Sequence, residues 1–460
     1  MIYISQLEYE QFLKSKELKA VNSGFECKID APYLFNWQNL LTGWSLGKGK
    51  SALFGGTGTG KTRIQLEWSR RVVDYTNGDV MILAPLAVSL QTHREGQKIG
   101  INTTVCNSQK DVRPGINITN YEKMDKFDLS HFVGIVLDES SLLKGQTGVY
   151  KQQLIDSCSG IPYRLCCTAT PSPNDYMELG NHCEFLSVMS KTEMLATYFV
   201  HDGGDTSKWR LKGHAEKEYW KWVGTWSVMF RDPKDIGFET EGFNLPELRI
   251  HEHILESEAD DGMLFAMPAN TLNERRQARR DSMSERVKLA SDLVNNSNDI
   301  WVVWCNLNDE SAAITKAIKG CVEVKGSDKS EHKEKTAIDF ADGKIKAIST
   351  KARIYGFGMN WQVCHKMIFC GISDSYEELY QAIRRCYRFG QKYPVDVHII
   401  ISEKEIKVLE NIRRKELQLE KMQDEMIKYC MTDLLSTGRI TEEYRPTKRM
   451  VIPDWLVSEC

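Results

Sequence analysis

The chain has 460 residues, of which 41% are hydrophobic and 27% are charged; these proportions exclude global disorder and a collagen-like or coiled-coil rod. Its 60 Lys and Arg residues against 63 Asp and Glu residues give a net charge of −3, so any nucleic-acid binding must use basic residues that are gathered locally. No apolar run approaches the roughly 18 residues that span a bilayer, and the 13 scattered cysteines include no C-x-x-C pair of the zinc-binding kind.

Two blocks of the chain alternate short apolar runs with helix-like stretches. In the first block, strands are predicted at residues 52–54, 80–84, 134–138 and 163–168. In the second block, they are predicted at residues 300–305, 321–324, 345–350, 366–371 and 395–401. Strands that alternate with helices imply parallel sheets with crossover helices. Each block has about the length of one doubly wound α/β domain.

The composition changes between and after these blocks. Residues 203–245 contain four tryptophans among many charges, which favours a small helical core over a base-stacking platform. Residues 273–288 carry five arginines and a lysine, and this run fits a solvated helix face and a phosphate track equally well. After residue 401, apolar residues at helical spacing predict one long amphipathic helix.

Residues 55–62, GGTGTGKT, follow an apolar stretch and precede a helix-like one, and they satisfy the pattern G-x-x-x-x-G-K-[ST]. Glycines in such a loop let backbone N–H groups point at phosphate oxygens. Lys61 supplies positive charge to the outer phosphates, and the Thr62 hydroxyl ligates Mg²⁺. The pattern predicts that ATP and Mg²⁺ bind to Gly55, Gly56, Thr57, Gly58, Thr59, Gly60, Lys61 and Thr62.

The run VGIVLDESS (133–141) reads as a strand that ends at Asp138 and Glu139. We expect Asp138 to contribute to the Mg²⁺ shell and Glu139 to orient and deprotonate the attacking water. Acidic pairs end many strands, so the strength of this signal depends on the glycine-rich loop that lies upstream.

Phosphoryl transfer also needs a positive charge on the transferring phosphate, usually an arginine finger. Residues 375–391 contain the candidates, since Gln381, Arg384, Arg385 and Arg388 lie on or near one predicted helical turn. Arg385 and Arg388 are three residues apart and should face the same way, whereas Arg384 should face elsewhere. Taken alone, this segment fits an ordinary basic helix as well.

Seven segments occur in the order of the motifs of helicase superfamily two. They are GTGTGKT, APLAV (84–88), ITNYE (118–122), LDESS (137–141), TATPSPND (168–175), GFGMNW (356–361) and QAIRRCYRFGQ (381–391). The last resembles the Q-A-x-x-R-x-x-R-x-G-Q signature of Swi/Snf-type ATPases, as does FRDPKDIGF followed by LPEL (230–248). Residues 199–216 look like compact DEAD/DEAH-like helicase proteins encoded by phages and prophages. The resemblance covers residues 30–402.

The resemblance implies an α/β protein of two RecA-like lobes, each a doubly wound parallel sheet, with ATP in the cleft between them. The first lobe is expected at residues 1–245 and includes a Trp-rich helical protrusion at about 203–230. Residues 246–285 would form a connector and residues 286–402 the second lobe. A helical tail is expected at residues 403–460.

The motif positions also imply roles for single residues. Gln38 would read adenine, and Thr168 and Thr170 would couple hydrolysis to movement of the lobes. Arg385 and Arg388 would be arginine fingers supplied in cis, with Gln381 as a further catalytic residue. Contacts to the nucleic-acid backbone are implied for Pro85, Asn120, Tyr121, Thr350, Lys351 and Asn360.

Three features depart from the family pattern. Ser140 and Ser141 stand where many relatives have Ala-His or Glu-His, so the usual histidine link to Gln381 is missing. TATP replaces the usual T-G-T-P at residues 168–171. The segment at residues 349–360 is two residues longer than the usual loop, which affects the expected DNA contacts there.

The resemblance implies a DNA-dependent ATPase that translocates on duplex DNA without reading sequence, since backbone contacts carry no base information. Three alternatives stay open: a strand-separating DNA or RNA helicase, an ATP-gated DNA-binding switch, and the motor subunit of a restriction-type complex. The last would need a separate nuclease, and phage or host replication and recombination proteins are further candidate partners. The charged N-terminus has no signal-peptide core, so we expect a cytoplasmic protein without membrane contact, in the host cytoplasm if it is phage-encoded.

Overall fold

The computed structural model describes residues 22–144, 148–202, 205–257, 268–269, 271–355 and 360–435. Within these residues the chain forms two RecA-like lobes, each built on a parallel sheet, and a long C-terminal helix. The α/β fold predicted from the sequence is confirmed. Seven stretches of the predicted segments lie outside the described residues: residues 1–21, 145–147, 203–204, 258–267, 270, 356–359 and 436–460.

Lobe 1 is built on seven parallel strands in the order β3-β4-β2-β5-β6-β1-β9. Their bounds are β1 Lys50–Gly55, β2 Val80–Ala84, β3 Thr103–Val105, β4 Ile116–Asn120, β5 Gly134–Asp138, β6 Tyr163–Cys167 and β9 Ser227–Phe230. The central strands are buried on both faces, as apolar runs in parallel sheets are. The strand β9 adds the end of the Trp-rich segment to this sheet.

Helices cover the sheet of lobe 1, and a short hairpin pairs with neither main sheet. The helices are α1 Asn36–Lys48, α2 Lys61–Thr76, α3 Leu86–Lys98, α4 Gly148–Cys158, α5 Leu179–Phe185, α6 Lys191–Tyr198 and α7 Glu216–Trp226. The hairpin pairs β7 Phe199–Asp202 with β8 Asp205–Leu211. Trp220, Trp222 and Trp226 of α7 are buried in the hydrophobic core. These tryptophans therefore stabilise the fold and present no stacking surface.

Lobe 2 is built on six parallel strands in the order β10-β15-β14-β11-β13-β12. Their bounds are β10 Leu248–Leu255, β11 Trp301–Cys305, β12 Cys321–Val324, β13 Ala347–Thr350, β14 Lys366–Cys370 and β15 Val395–Ser402. β10 lies within the predicted connector, yet it pairs along its whole length with β15. The sheet of lobe 2 therefore includes residues on the N-terminal side of the predicted lobe.

The helices of lobe 2 lead into the long C-terminal helix. They are α8 Leu272–Asp281, α9 Met283–Asn295, α10 Asn308–Ala317, α11 Ser330–Ala341, α12 Ala352–Tyr355, α13 Tyr376–Ile383 and α14 Ile406–Leu435. On α14, the Lys415 ammonium donates to the carbonyl oxygen of Asp374 in lobe 2 at 2.7 Å. Further along the helix, Lys421 pairs with Glu216 of α7 at 3.2 Å. α14 therefore packs against both lobes.

Two features are absent from the described residues. Among the helices in the described part of the chain, none has both the length and the apolar composition needed to cross a lipid bilayer. The described residues also contain no cluster of three or more His, Cys, Asp or Glu side chains suited to a metal ion.

Candidate active site between the lobes

The glycine-rich loop connects β1 to the amino end of α2. Gly58 has a φ of 87° and Gly60 a φ of 75°, both in the left-handed region that favours glycine. The Lys61 ammonium donates to the carbonyl oxygens of Gly55 at 2.8 Å and Gly56 at 3.1 Å. The loop therefore curls around its own lysine at the positive end of a 16-residue helix.

The residues of this loop fit a phosphate ligand. The Thr57 hydroxyl is buried and forms no hydrogen bond with any described residue. Lys61 uses its donors on loop carbonyl oxygens, and phosphate oxygens can take their place. Thr62, the half-buried second residue of α2, and Asp138 at the end of β5 are the residues that would hold Mg²⁺. The ion, when bound, offsets the negative charge of the phosphates.

The neighbouring carboxyl groups of Asp138 and Glu139 have different partners. Asp138 accepts a hydrogen bond from the Gln65 amide at 2.7 Å. Glu139 accepts one from the Thr168 hydroxyl at 3.1 Å. Glu139 also has a φ of 54°, which is uncommon for a residue with a side chain and marks a sharp turn directly after the strand.

Both lobes influence the charge of this acidic pair. Burial raises the pKa of Asp138 above its ordinary value and raises the pKa of Glu139 to about 7. The positive charges of Lys61 in lobe 1 and Arg385 in lobe 2 act in the opposite direction on both pKa values. A carboxyl group with a pKa near 7 can accept a proton at neutral pH, as a general base must.

Two buried threonines after β6 connect the acidic pair to lobe 2. The Thr168 hydroxyl, which donates to Glu139, accepts a hydrogen bond from the Thr170 backbone N–H at 3.2 Å. The Thr170 hydroxyl donates to Glu377 of α13 at 3.2 Å. A continuous chain of hydrogen bonds therefore runs from Glu139 across the cleft into lobe 2.

Gln381 and Arg385 form a buried pair at the end of α13. The Arg385 guanidinium donates to the backbone and side-chain oxygens of Gln381, both at 2.9 Å. Burial, followed by the charge of Arg388, lowers the pKa of Arg385 to about 9. The amide nitrogen of Gln381 is buried and has no hydrogen-bond partner among the described residues. Gln381 thus positions Arg385 and keeps a donor available to a ligand.

Arg388 lies in a turn, and the sequence prediction that it shares a helical turn with Arg385 is wrong. α13 ends at Ile383, and the chain then turns. Gln391 fixes this turn, because its amide nitrogen lies 3.1–3.2 Å from three carbonyl oxygens, those of Gln362, Cys364 and Cys386. Burial lowers the pKa of Arg388 to about 10.

The turn of lobe 2 packs directly on the glycine-rich loop of lobe 1. A Cβ atom added to Gly58 would stand 3.4 Å from Cβ of Arg388 and 3.1 Å from the backbone nitrogen of Phe389. Arg384 faces a different region, since its guanidinium lies 5.1 Å from the ring centres of both Tyr380 and Tyr387. The loop that carries Lys61 and the turn that carries Arg388 are therefore in contact.

Gln38 lies beside the same loop and is buried. Its amide nitrogen donates to the Thr59 carbonyl oxygen at 3.0 Å, and its side-chain oxygen accepts from the Phe35 N–H at 2.9 Å. The Phe389 ring lies with its centre 4.7 Å from that of Phe243 and 6.4 Å from that of Phe35. Aromatic rings from both sides of the cleft therefore meet next to Gln38.

The predicted nucleic-acid residues of lobe 1 lie near the carboxyl ends of β2 and β4. Pro85 is the N-cap residue of α3. Asn120 ends β4, and its side-chain oxygen is buried without a partner among the described residues. The Tyr121 hydroxyl donates to the carbonyl oxygen of Asp138 at 2.8 Å, and burial raises its pKa well above the ordinary value. Tyr121 is thus hydrogen-bonded to the backbone of the acidic pair.

The predicted nucleic-acid residues of lobe 2 differ in exposure. Thr350 is fully buried, and its hydroxyl donates to the Val324 carbonyl oxygen at 3.1 Å. Lys351 is half-buried at the edge of the sheet, and Asn360 is exposed.

Three residues of the site carried no prediction. Gln65 lies one helical turn after Lys61, and Glu377 lies one turn before Gln381, so helical spacing was an available signal for both. His182 of α5 is buried and lies 3.0 Å from the Ser140 hydroxyl. A histidine therefore does reach the segment after Glu139, but from a different element, which no local pattern indicates.

A comparison with known protein families finds one match, and it lies in lobe 2. Residues 285–390 match the family model described as helicase conserved C-terminal domain. Lobe 2 is therefore similar to a helicase C-terminal domain. A domain of this kind, beside a second RecA-like lobe, indicates a nucleic-acid-dependent ATPase or helicase that uses ATP and Mg²⁺. The search of curated proteins finds no match to the chain.

Proposed function

We propose that this protein is a DNA-dependent ATPase that translocates on duplex DNA without reading its sequence. The observation that carries the proposal is the contact between the Lys61 loop of lobe 1 and the Arg388 turn of lobe 2. A phosphate held by that loop would be within reach of positive charge from both lobes. Glu139 would act as the base beside it, and Gln38 with the neighbouring aromatic rings would hold the adenine.

The same contact suggests how hydrolysis produces movement. ATP would bridge Lys61 on one lobe to Arg385 and Arg388 on the other, and this favours a closed cleft. After hydrolysis the arginines of lobe 2 would lose the phosphate that joins them to Lys61 of lobe 1, and this loss favours opening. The hydrogen bond between Thr170 and Glu377 would break and reform in each cycle. Alternating grip on a DNA backbone by the two lobes would then move the protein along it.

The finer assignment rests on the sequence resemblance. The Swi/Snf-type signature at residues 381–391 supports tracking of duplex DNA, and the likeness to phage-encoded proteins supports a role in phage DNA metabolism in the host cytoplasm. Replication, recombination or nuclease proteins of phage or host would be its partners. The proposed contacts to the DNA backbone are Pro85, Asn120, Tyr121, Thr350, Lys351 and Asn360.

The proposal is tested by the ATPase rate with no nucleic acid, single-stranded DNA, duplex DNA and duplex RNA in parallel. Duplex DNA should stimulate hydrolysis most. Equal or greater stimulation by duplex RNA would overturn the assignment to DNA. Slow hydrolysis with tight, nucleotide-dependent DNA binding would favour a switch over a motor.

A strand-separating helicase is the second candidate. The observation that favours it is the hairpin β7–β8, which pairs with neither main sheet and could act as a wedge between the strands of a duplex. The two functions differ in their products. A duplex translocase displaces a triplex-forming third strand and barely opens a forked duplex, whereas a helicase with a wedge gives the reverse result.

A further inference from the structure

Gln65 is a polar side chain that lies fully inside lobe 1, with an exposed fraction of 0%. It belongs to α2, the helix that begins at Lys61, and it lies one helical turn after both Lys61 and Thr62. A buried amide costs free energy unless its nitrogen and oxygen are hydrogen-bonded. The partners of the Gln65 amide therefore indicate what the side chain does.

The two ends of the Gln65 amide differ in their partners. The nitrogen Nε2 donates to Oδ1 of Asp138 at 2.7 Å, across 73 positions of sequence. The oxygen Oε1 is buried and has no hydrogen-bond partner among the residues that the structure describes. An ionised carboxylate only accepts hydrogen bonds, so the nitrogen must face Asp138 and the amide cannot be turned around. Within this fold, the amide is placed for its donor.

Asp138 is held in place chiefly by this bond. It is the last residue of β5 and has an exposed fraction of 6%. In the described part of the chain, no other side chain donates a hydrogen bond to its carboxylate. The backbone turns sharply at the next residue, Glu139, where φ is 54°. The contact with Gln65 therefore decides which way the carboxylate of Asp138 faces.

This arrangement is the one that proteins use to orient the ligands of a metal ion. A carboxylate that binds a metal is itself hydrogen-bonded to a second residue, and loss of that residue typically lowers metal affinity 10- to 100-fold. The bond from Gln65 occupies Oδ1, and no side chain of the described residues donates to Oδ2. One carboxylate oxygen of Asp138 is thus fixed, and the other is left for a ligand.

We propose that Gln65 is a positioning residue that orients Asp138 for the binding of Mg²⁺ beside ATP. The inference rests on the proposed function, because it concerns the same ATP site, and it adds a residue for which the sequence carried no prediction. Gln65 acts only through Asp138. The helix α2 would then hold the ion twice, directly through Thr62 and indirectly through Gln65.

The test measures how much Mg²⁺ tightens nucleotide binding, without DNA and without hydrolysis. The affinity for a non-hydrolysable ATP analogue is measured by calorimetry with saturating Mg²⁺ and with a chelator. The ratio of the two affinities reports the contribution of the ion. In Gln65→Met, which keeps most of the volume and loses the donor, this ratio should fall roughly tenfold or more. The affinity with the chelator should stay within about twofold of the parental value, because the glycine-rich loop is intact.

A double-mutant cycle tests whether Gln65 acts through Asp138. Asp138→Ala should lower the same ratio, and the addition of Gln65→Met should lower it no further. Thermal unfolding verifies that each variant is folded. Gln65→Asn, which withdraws the amide by one methylene group, should lower the ratio in the same way and replaces Gln65→Met if that variant does not fold.

The matched control is Gln152→Met. Gln152 donates to Asp156 at 2.9 Å on the exposed surface of α4, so the variant removes the same kind of bond outside the site. It should keep the parental ratio. A parental ratio in Gln65→Met and Gln65→Asn, or an additive loss in the double variant, would overturn the inference alone. A parent that binds no nucleotide would overturn the proposed function and the inference together.

Discussion

Lobe 1 and lobe 2 are both parallel sheets covered by helices, yet the segments that meet in the cleft carry opposite charge. Lobe 1 contributes Asp138 and Glu139 beside a single lysine, and lobe 2 contributes Arg385 and Arg388. The shared architecture thus sets where the site lies, and the loops set its chemistry. A phosphate between the lobes would add negative charge beside the two arginines, which is why we expect nucleotide to control the closing of the cleft.

The contribution of lobe 1 to ATP hydrolysis can be tested first, through the lysine of its glycine-rich loop. Lys61→Ala should reduce ATP hydrolysis to background, because the loop loses its point charge for the outer phosphates. Lys98→Ala is a suitable control, since it removes an exposed lysine from α3 of the same lobe. The measurement is steady-state ATPase with saturating duplex DNA. Substantial turnover in Lys61→Ala would show that nucleotide binds elsewhere.

Glu139→Gln separates binding from chemistry. The amide keeps the shape of the side chain but cannot accept a proton, so turnover should fall on the order of 10²- to 10⁴-fold while ATP still binds. Single-turnover hydrolysis and nucleotide affinity, measured together, report the two effects. The control is Glu334→Gln on the exposed surface of α11. Near-normal turnover in Glu139→Gln would exclude Glu139 as the base.

The raised pKa of Glu139 also predicts a stability effect with a defined sign. Between pH 4.5 and about 7 the folded protein holds a proton that the unfolded chain releases, so this group lowers the free energy of unfolding as pH rises through that window. Without nucleotide, Glu139→Gln should be more stable than the parent at pH 8, by on the order of 1–3 kcal/mol. The difference should shrink toward pH 5. The charged groups around Glu139 are the same in both proteins, so they do not cause the difference. They are Lys61, Asp138, Glu377 and Arg385.

Chemical denaturation at each pH checks this effect. A constant difference between Glu139→Gln and the parent from pH 5 to pH 8 would contradict the burial of an ionisable Glu139.

The contact between the lobes gives the smallest expected effect. Thr170→Val removes the hydroxyl that donates to Glu377, and the cost to stability should be about 1 kcal/mol. A double-mutant cycle with Glu377→Ala, which removes the acceptor, isolates this pair. Thr197→Val, which removes a hydrogen bond within α6, is the control. A coupling energy of zero would show that the bond does not join the lobes in solution.

The strands show which regions of the fold a sequence can predict. β5 and β11 were predicted because strands buried on both faces read as continuous apolar runs. β3 has only three residues, and β4 interleaves asparagine and threonine with isoleucine, so neither forms such a run. β10 is an edge strand in which two isoleucines flank the polar run His-Glu-His, and only its pairing with β15 identifies its lobe.

The residues of the site likewise fall into those that a local sequence pattern predicts and those that no local pattern predicts. The loop at residues 55–62 and the pair Asp138–Glu139 are local patterns, and the structure brings them together. The bond between Thr170 and Glu377 joins residues 207 positions apart, which no local pattern predicts. The turn that carries Arg388 replaces the expected helix because the Gln391 amide joins the nearby carbonyl oxygen of Cys386 to those of Gln362 and Cys364 in a distant segment.

The central claim is that both lobes act on one phosphate, and Arg388 tests it most directly. Arg388→Ala should lower turnover on the order of a thousandfold or more and change ATP affinity by less than about tenfold, because an arginine finger acts mainly on charge that develops in the transition state. Arg384→Ala is the matched control, since Arg384 lies against two tyrosine rings. The measurement is steady-state ATPase with saturating duplex DNA, with nucleotide affinity determined in parallel. Parental turnover in Arg388→Ala, or collapse in Arg384→Ala alone, would contradict a site shared by the two lobes.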